Sequence, residues 1–127
     1  MTVAGLVAAA LAGLLHCYIF YLESVAWTTR ALAVFGMERE SAEATKEMAF
    51  NQGFYNLLLA VEAIAGVVVH QVGRPVIGLT LASFGVGSML AAALLLFATS
   101  PDKRSAAAKQ GVLPLIAVVL LALGAFA

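Results

Sequence analysis

The sequence predicts an all-α fold, a four-helix transmembrane bundle in an integral membrane protein. Composition and helix-length segments carry that prediction. The chain is 63% hydrophobic and 11% charged, against roughly 45–50% and 25% in soluble domains. Four apolar stretches are long enough, or nearly so, to cross a bilayer, which takes about 20 residues. A soluble chain of 127 residues could not hide so much apolar surface, so the excess faces lipid. One transmembrane domain, 1–127, is expected.

The first span runs from about residue 2 to 27. Its start resembles a signal peptide, but it has no basic n-region and the apolar pattern continues past Cys17 to Trp27, so it is read as a mature transmembrane helix. Cys17 is the single cysteine, which rules out an intrachain disulfide and leaves a small buried apolar side chain. The loop from Thr28 to Glu47 is the one sizeable polar stretch. Ala, Glu, Lys and Met from Ser41 onward favour helix, so the second span, about 42–72, begins outside the membrane. Glu43 and Glu47 share a solvated face there.

Gly73-Arg74-Pro75 breaks the chain before the third span, 75–98, with Pro at a helix start. Ser100-Pro101-Asp102 reads as N-cap, first helical residue and first-turn acid. A short surface helix from Pro101 to Gln110 then leads into the last span, the whole segment being 101–127. Pro114 lacks an N–H and should bend it.

Orientation follows from the basic residues. Arg30, Arg39, Lys46, Lys103, Arg104 and Lys109 fall on one side and Arg74 on the other. The positive-inside rule puts the first group in the cytoplasm and both termini outside, across the inner (cytoplasmic) membrane. Trp27, Phe50, Phe54 and Phe97 form an interfacial belt on that side. Two stripes of small residues, Gly5-Ala9-Gly13 and Ser83-Gly87-Ala91, suit close helix contact and make a homo-oligomer the expected state. The bilayer is the other expected partner. Zero net charge gives no reason to expect nucleic acid.

The polar residues inside the spans mark the candidate site, because lipid does not solvate them. On a regular helix His16, Phe20, Glu23 and Trp27 share one face of the first span, and Asn51, Tyr55 and Glu62 share one of the second, with Gln52 and Asn56 beside them. At about 1.5 Å rise per residue, Glu23 and Asn51 each lie roughly 12 Å to the cytoplasmic side of the midplane, with His16 and Glu62 near the centre. Two pairings follow: Glu23 with Asn51, Gln52 or Tyr55, and His16 with Glu62. The cluster could also serve only to hold the two helices together, since interhelical polar pairs return about 0.6–2 kcal/mol each. His70, near the outer end of the second span, reads as an exposed interfacial residue.

No Gly-rich phosphate loop, zinc spacing or hydrolase triad is present, and no metal or cofactor is expected.

The residues His16-x-Tyr18-Ile19-x-x-Leu22-Glu23-x-x-x-Trp27-Thr28-Thr29, Val34-Phe35-Gly36, Ala44-Thr45-Lys46, Asn51-Gln52-Gly53-x-Tyr55-Asn56-x-x-Leu59-Ala60 and Gln110-Gly111 resemble a family of small bacterial membrane proteins, "domain of unknown function 1304". The resemblance covers essentially the whole chain. It implies four transmembrane helices and no established activity. An acid at Glu62 is not part of that pattern, which favours Glu23 with Asn51, Gln52, Tyr55 and Asn56 as the site.

Three functions stay open. The site could bind or transport a small ligand, a cation held by Glu23 and the ring of Trp27 among them. The chain could be a non-catalytic subunit or scaffold of a membrane complex. It could be a membrane-embedded enzyme with His16, Glu23 or Tyr55 as acid or base.

Overall fold

The computed structural model describes residues 1–126. Helix α1 spans Thr2–Phe20 and continues as a π-helical turn, Tyr21–Val25. A short helix, α2, comes next at Arg30–Phe35, then α3 at Arg39–Gln71, α4 at Pro75–Thr99, a 3-10 turn at Pro101–Lys103, and α5 at Arg104–Phe126. The α1 unit, α3, α4 and the α5 unit are each long and apolar enough to span a membrane. There is no strand among the described residues.

The four long helices close a ring. Helix α3 packs on α1 and α4, α5 packs on α4 and α1, and α1 and α4 lie diagonally with little contact. Neighbours are antiparallel: Gly13 approaches Ile64 and Ala60, Gly85 approaches Ala63, Gly111 approaches Ala93, and Gly5 approaches Leu121.

The packing is what lipid demands. The core is built from Leu6, Ala9, Ala12, Ala63, Ala82, Val86, Met89, Ala117 and Leu121, so it is mainly small. Larger apolar side chains such as Leu14, Leu58, Phe84 and Leu95 point outward, each at least 60% exposed. A soluble domain places such side chains inside. Here lipid supplies no hydrophobic drive between helices, so close backbone contact through Ala and Gly holds them. At Gly66 an added Cβ would run into the backbone of Ala82 on α4. The protein is a multi-pass membrane protein.

Several boundaries differ from the sequence reading. Regular α-helix in the first span stops at Phe20, not near Trp27. Helix α3 starts at Arg39 rather than 42, and its 33 residues make it about 50 Å long, well beyond a hydrocarbon core of about 30 Å. The loop before it contains α2, closed by Gly36 in the left-handed region at φ 64°. Six residues are too few to show a helical period against flanking polar sequence. Ser100 makes no side-chain cap bond. Its carbonyl instead accepts the Lys103 N–H at 2.9 Å, and α5 runs unbroken through Gln110 and Pro114.

Candidate functional site

The site is built where α1 changes its winding. At Tyr21–Val25 the Ala26 N–H reaches back five residues to the Tyr21 carbonyl, at 2.9 Å. A π turn holds an extra residue and rotates the next stretch of chain around the helix axis, and such turns recur at functional sites. Leu22 is thereby sealed in the bundle at 2% exposure, while Glu23 and Ser24 meet α3.

Three contacts fix that meeting. The Ser24 hydroxyl donates to the Phe50 carbonyl at 2.8 Å, using that oxygen's second lone pair. Gly53 lies under the turn: an added Cβ would collide with Ser24 Oγ and come within 3.0 Å of Ser24 N and 3.1 Å of Glu23 Cβ. One turn further on, Asn56 Nδ2 donates to Glu23 Oε2 at 2.7 Å, and to the Gln52 carbonyl at 3.2 Å. Both amide hydrogens are thus engaged and the side chain is held in one orientation. The short Glu23 bond has the length of a charge-assisted one.

The expected donors are elsewhere. Asn51 donates to the Glu47 carbonyl of its own helix at 2.9 Å, and Asn51 and Gln52 are exposed. Tyr55 is 65% exposed. The stripe of α3 that faces α1 includes Gly53, Asn56, Ala60 and Ile64, rotated from the Asn51–Tyr55–Glu62 stripe. The small residues Gly53 and Ala60 were the signal for this face, because small side chains allow backbones to come this close.

His16 is 2% exposed. Its partner is the Ala12 carbonyl, 2.9 Å from Nδ1; a carbonyl only accepts, so Nδ1 carries the hydrogen. The expected bond to Glu62 is not formed, and Glu62 is half-buried on α3. His70 is also half-buried rather than exposed, with Nδ1 sealed and without a partner.

Trp27 lies beyond the π turn, off the helical face that the sequence spacing assigned to it. Its indole N–H donates to Thr45 Oγ1 at 3.1 Å, and that hydroxyl donates to the Ser41 carbonyl at 2.9 Å. The ring sits 5.8 Å from that of Phe35, tilted by 50°, so α2 acts as a bracket for Trp27.

These elements border an open cleft of about 470 Å³, lined by Glu23, Ser24, Val25, Trp27, Thr28, Glu43, Lys46, Glu47 and Phe50. One wall is the π turn and the chain after it. The other is a stripe of α3 at i, i+3, i+4 and i+7, from Glu43 to Phe50. Of the residues expected at the site, Glu23 and Trp27 line this cleft and Asn56 anchors Glu23 from behind. His16 lies deeper in the bundle, and Asn51, Gln52 and Tyr55 are not on the lining. Chemically, the cleft offers a carboxylate with one oxygen tied to Asn56, beside a fixed indole and two further acids.

A family model described as "Protein of unknown function (DUF1304)" matches residues 10–122. That span includes every residue of the cleft. Compared with curated proteins, the chain matches none. Compared with solved structures, it also matches none.

Proposed function

The chain belongs to the DUF1304 family, whose description assigns no activity, and we propose that it binds a small ligand in the Glu23 cleft and carries it across the membrane. The observation behind this reading is the state of Glu23. Oε2 is held by Asn56. Oε1 takes no hydrogen bond and is not sealed in the bundle, and Glu23 is on the lining of the cleft. An ionisable side chain within a membrane span is costly without partners, so an oxygen left without a hydrogen bond calls for water or a ligand. A volume of about 470 Å³ is within the usual range for small-molecule sites, roughly 300–1,000 Å³.

Native mass spectrometry of the purified protein tests the reading. A small molecule retained by the wild type and lost in Glu23→Gln supports it. Equal spectra for the two, with no retained molecule, count against it.

Orientation belongs to the same proposal. With both termini outside the inner membrane, the cleft opens on the cytoplasmic side, as the six basic residues against one suggest. A second reading, association with another copy, draws on α4. Ser83 and Ala91 are exposed, and a Cβ at Gly87 would meet nothing within 4 Å. The enzyme reading has less support, because His16 is sealed and Tyr55 faces outward.

A further inference from the structure

The hydrogen-bonding inventory of the cleft selects among ligand classes. Two of its neutral donors are already engaged, the Ser24 hydroxyl on the Phe50 carbonyl and the Trp27 indole N–H on Thr45, which leaves the Thr28 hydroxyl as the neutral side-chain donor on the lining. Lys46 is the one basic residue on the lining. The free capacity is for acceptance: Glu23 Oε1, the carboxylates of Glu43 and Glu47, and the lone pairs of Ser24 and Thr28. Three carboxylates against one ammonium repel an anion. A carbonyl or ether ligand would find only the Lys46 ammonium and the Thr28 hydroxyl as side-chain donors and would leave the carboxylates unmatched.

The apolar part of the lining is distinct. Val25 is 68% exposed and Phe50 49% exposed, and with the Trp27 ring they form a lip beside the acceptors. That lip fits an apolar body. It is not an aromatic cage, since one indole already leaning on Phe35 cannot surround a cation on several sides.

We infer that the ligand of this cleft is a protonated amine that keeps at least one N–H, carried on a small apolar body, and that the cleft discriminates against a quaternary ammonium of the same shape. This rests on the reading of the cleft as a binding site. The selectivity comes from Glu23 Oε1: an N–H makes a charge-assisted bond to it, whereas N-methyl groups hold the charge away and leave the oxygen without a donor.

Trp27 is the only tryptophan and lines the cleft, so its fluorescence reports occupancy. The full chain in phosphatidylcholine nanodiscs is titrated with cyclohexylmethylamine, with its N,N,N-trimethyl analogue, and with cyclohexylacetate. The primary amine should give a saturable change. The quaternary analogue should bind at least about tenfold more weakly, the usual size of a lost hydrogen bond to a charged group, and the carboxylate should give none. Glu23→Gln should weaken the amine by about tenfold or more. Glu47→Gln, on the exposed part of α3, removes a charge without touching the bundle and should weaken it by about two- to fivefold. Quaternary binding as tight as the amine, or tightest binding by the carboxylate, overturns the inference while leaving the cleft a binding site. No saturable response to any of the three overturns the cleft reading and the inference with it.

Discussion

Asn56 on α3 and Glu23 in the π turn after α1 are joined by a 2.7 Å bond from the amide Nδ2 to Oε2, across 33 residues of sequence. Asn56 holds one oxygen of a residue on the cleft lining and leaves the other without a hydrogen bond. The bond therefore does two jobs, tying α1 to α3 and orienting the carboxylate. The two jobs separate by mutation. Glu23→Gln keeps an acceptor for Asn56 and should lower stability by less than about 1 kcal/mol, whereas Glu23→Leu leaves the amide without its acceptor and should cost about 1–3 kcal/mol. Reversible unfolding in mixed micelles, followed by helical circular dichroism, measures both. Equal losses would mean that the hydrogen bond is not what holds the turn.

Gly53 sets how closely the π turn approaches α3. Gly53→Ala places a Cβ against Ser24 Oγ and against backbone at 3.0 Å, an overpacking that should cost about 1–3 kcal/mol. Adding Ser24→Ala removes the hydroxyl but not the contact with the Ser24 backbone, so the double variant should recover only part of the loss. Full recovery in the same assay would show that the backbone has room to move.

The two small-residue stripes should behave differently. Gly5 faces Leu121, with an added Cβ 2.8 Å from that side chain, while Gly87 faces open space. Gly5→Leu should therefore destabilise the bundle itself by about 1–3 kcal/mol. Gly87→Leu should leave chain stability within about 0.5 kcal/mol and weaken self-association, read by light scattering of the protein–detergent complex. If Gly87→Leu leaves the association state untouched, α4 is a lipid face.

Orientation is open to a labelling test. In a Cys17→Ala background, a cysteine placed at Ser105, which is exposed at the start of α5, should resist membrane-impermeant maleimide added outside intact cells. It should react once the membrane is permeabilised. Ready labelling from outside would reverse the orientation proposed from the basic residues.

The all-α class, the long apolar helices, the breaks at Gly73–Pro75 and around Ser100, and a Glu23 that faces the second long helix rather than lipid were legible in the sequence by itself. Each depends on composition or local backbone chemistry: apolar length against bilayer thickness, proline without an N–H, a carboxylate among groups lipid cannot solvate. Partner choice was not legible. The helical period places Asn51, Tyr55 and Glu62 together as readily as Gly53, Asn56 and Ala60, and only the contact between α1 and α3 decided which stripe turns inward. That contact depends on side-chain volume, with Gly53 and Ala60 letting the backbones meet. The π turn was equally out of reach, because a single extra residue leaves no periodic trace. It forms where Ser24 and Glu23 gain bonds to Phe50 and Asn56 that a regular helix does not provide for. By ending regular α-helix at Phe20 and leaving Trp27 to α2 and Thr45, the tertiary structure put Glu23 and Trp27 on one wall of a cleft whose other wall is α3.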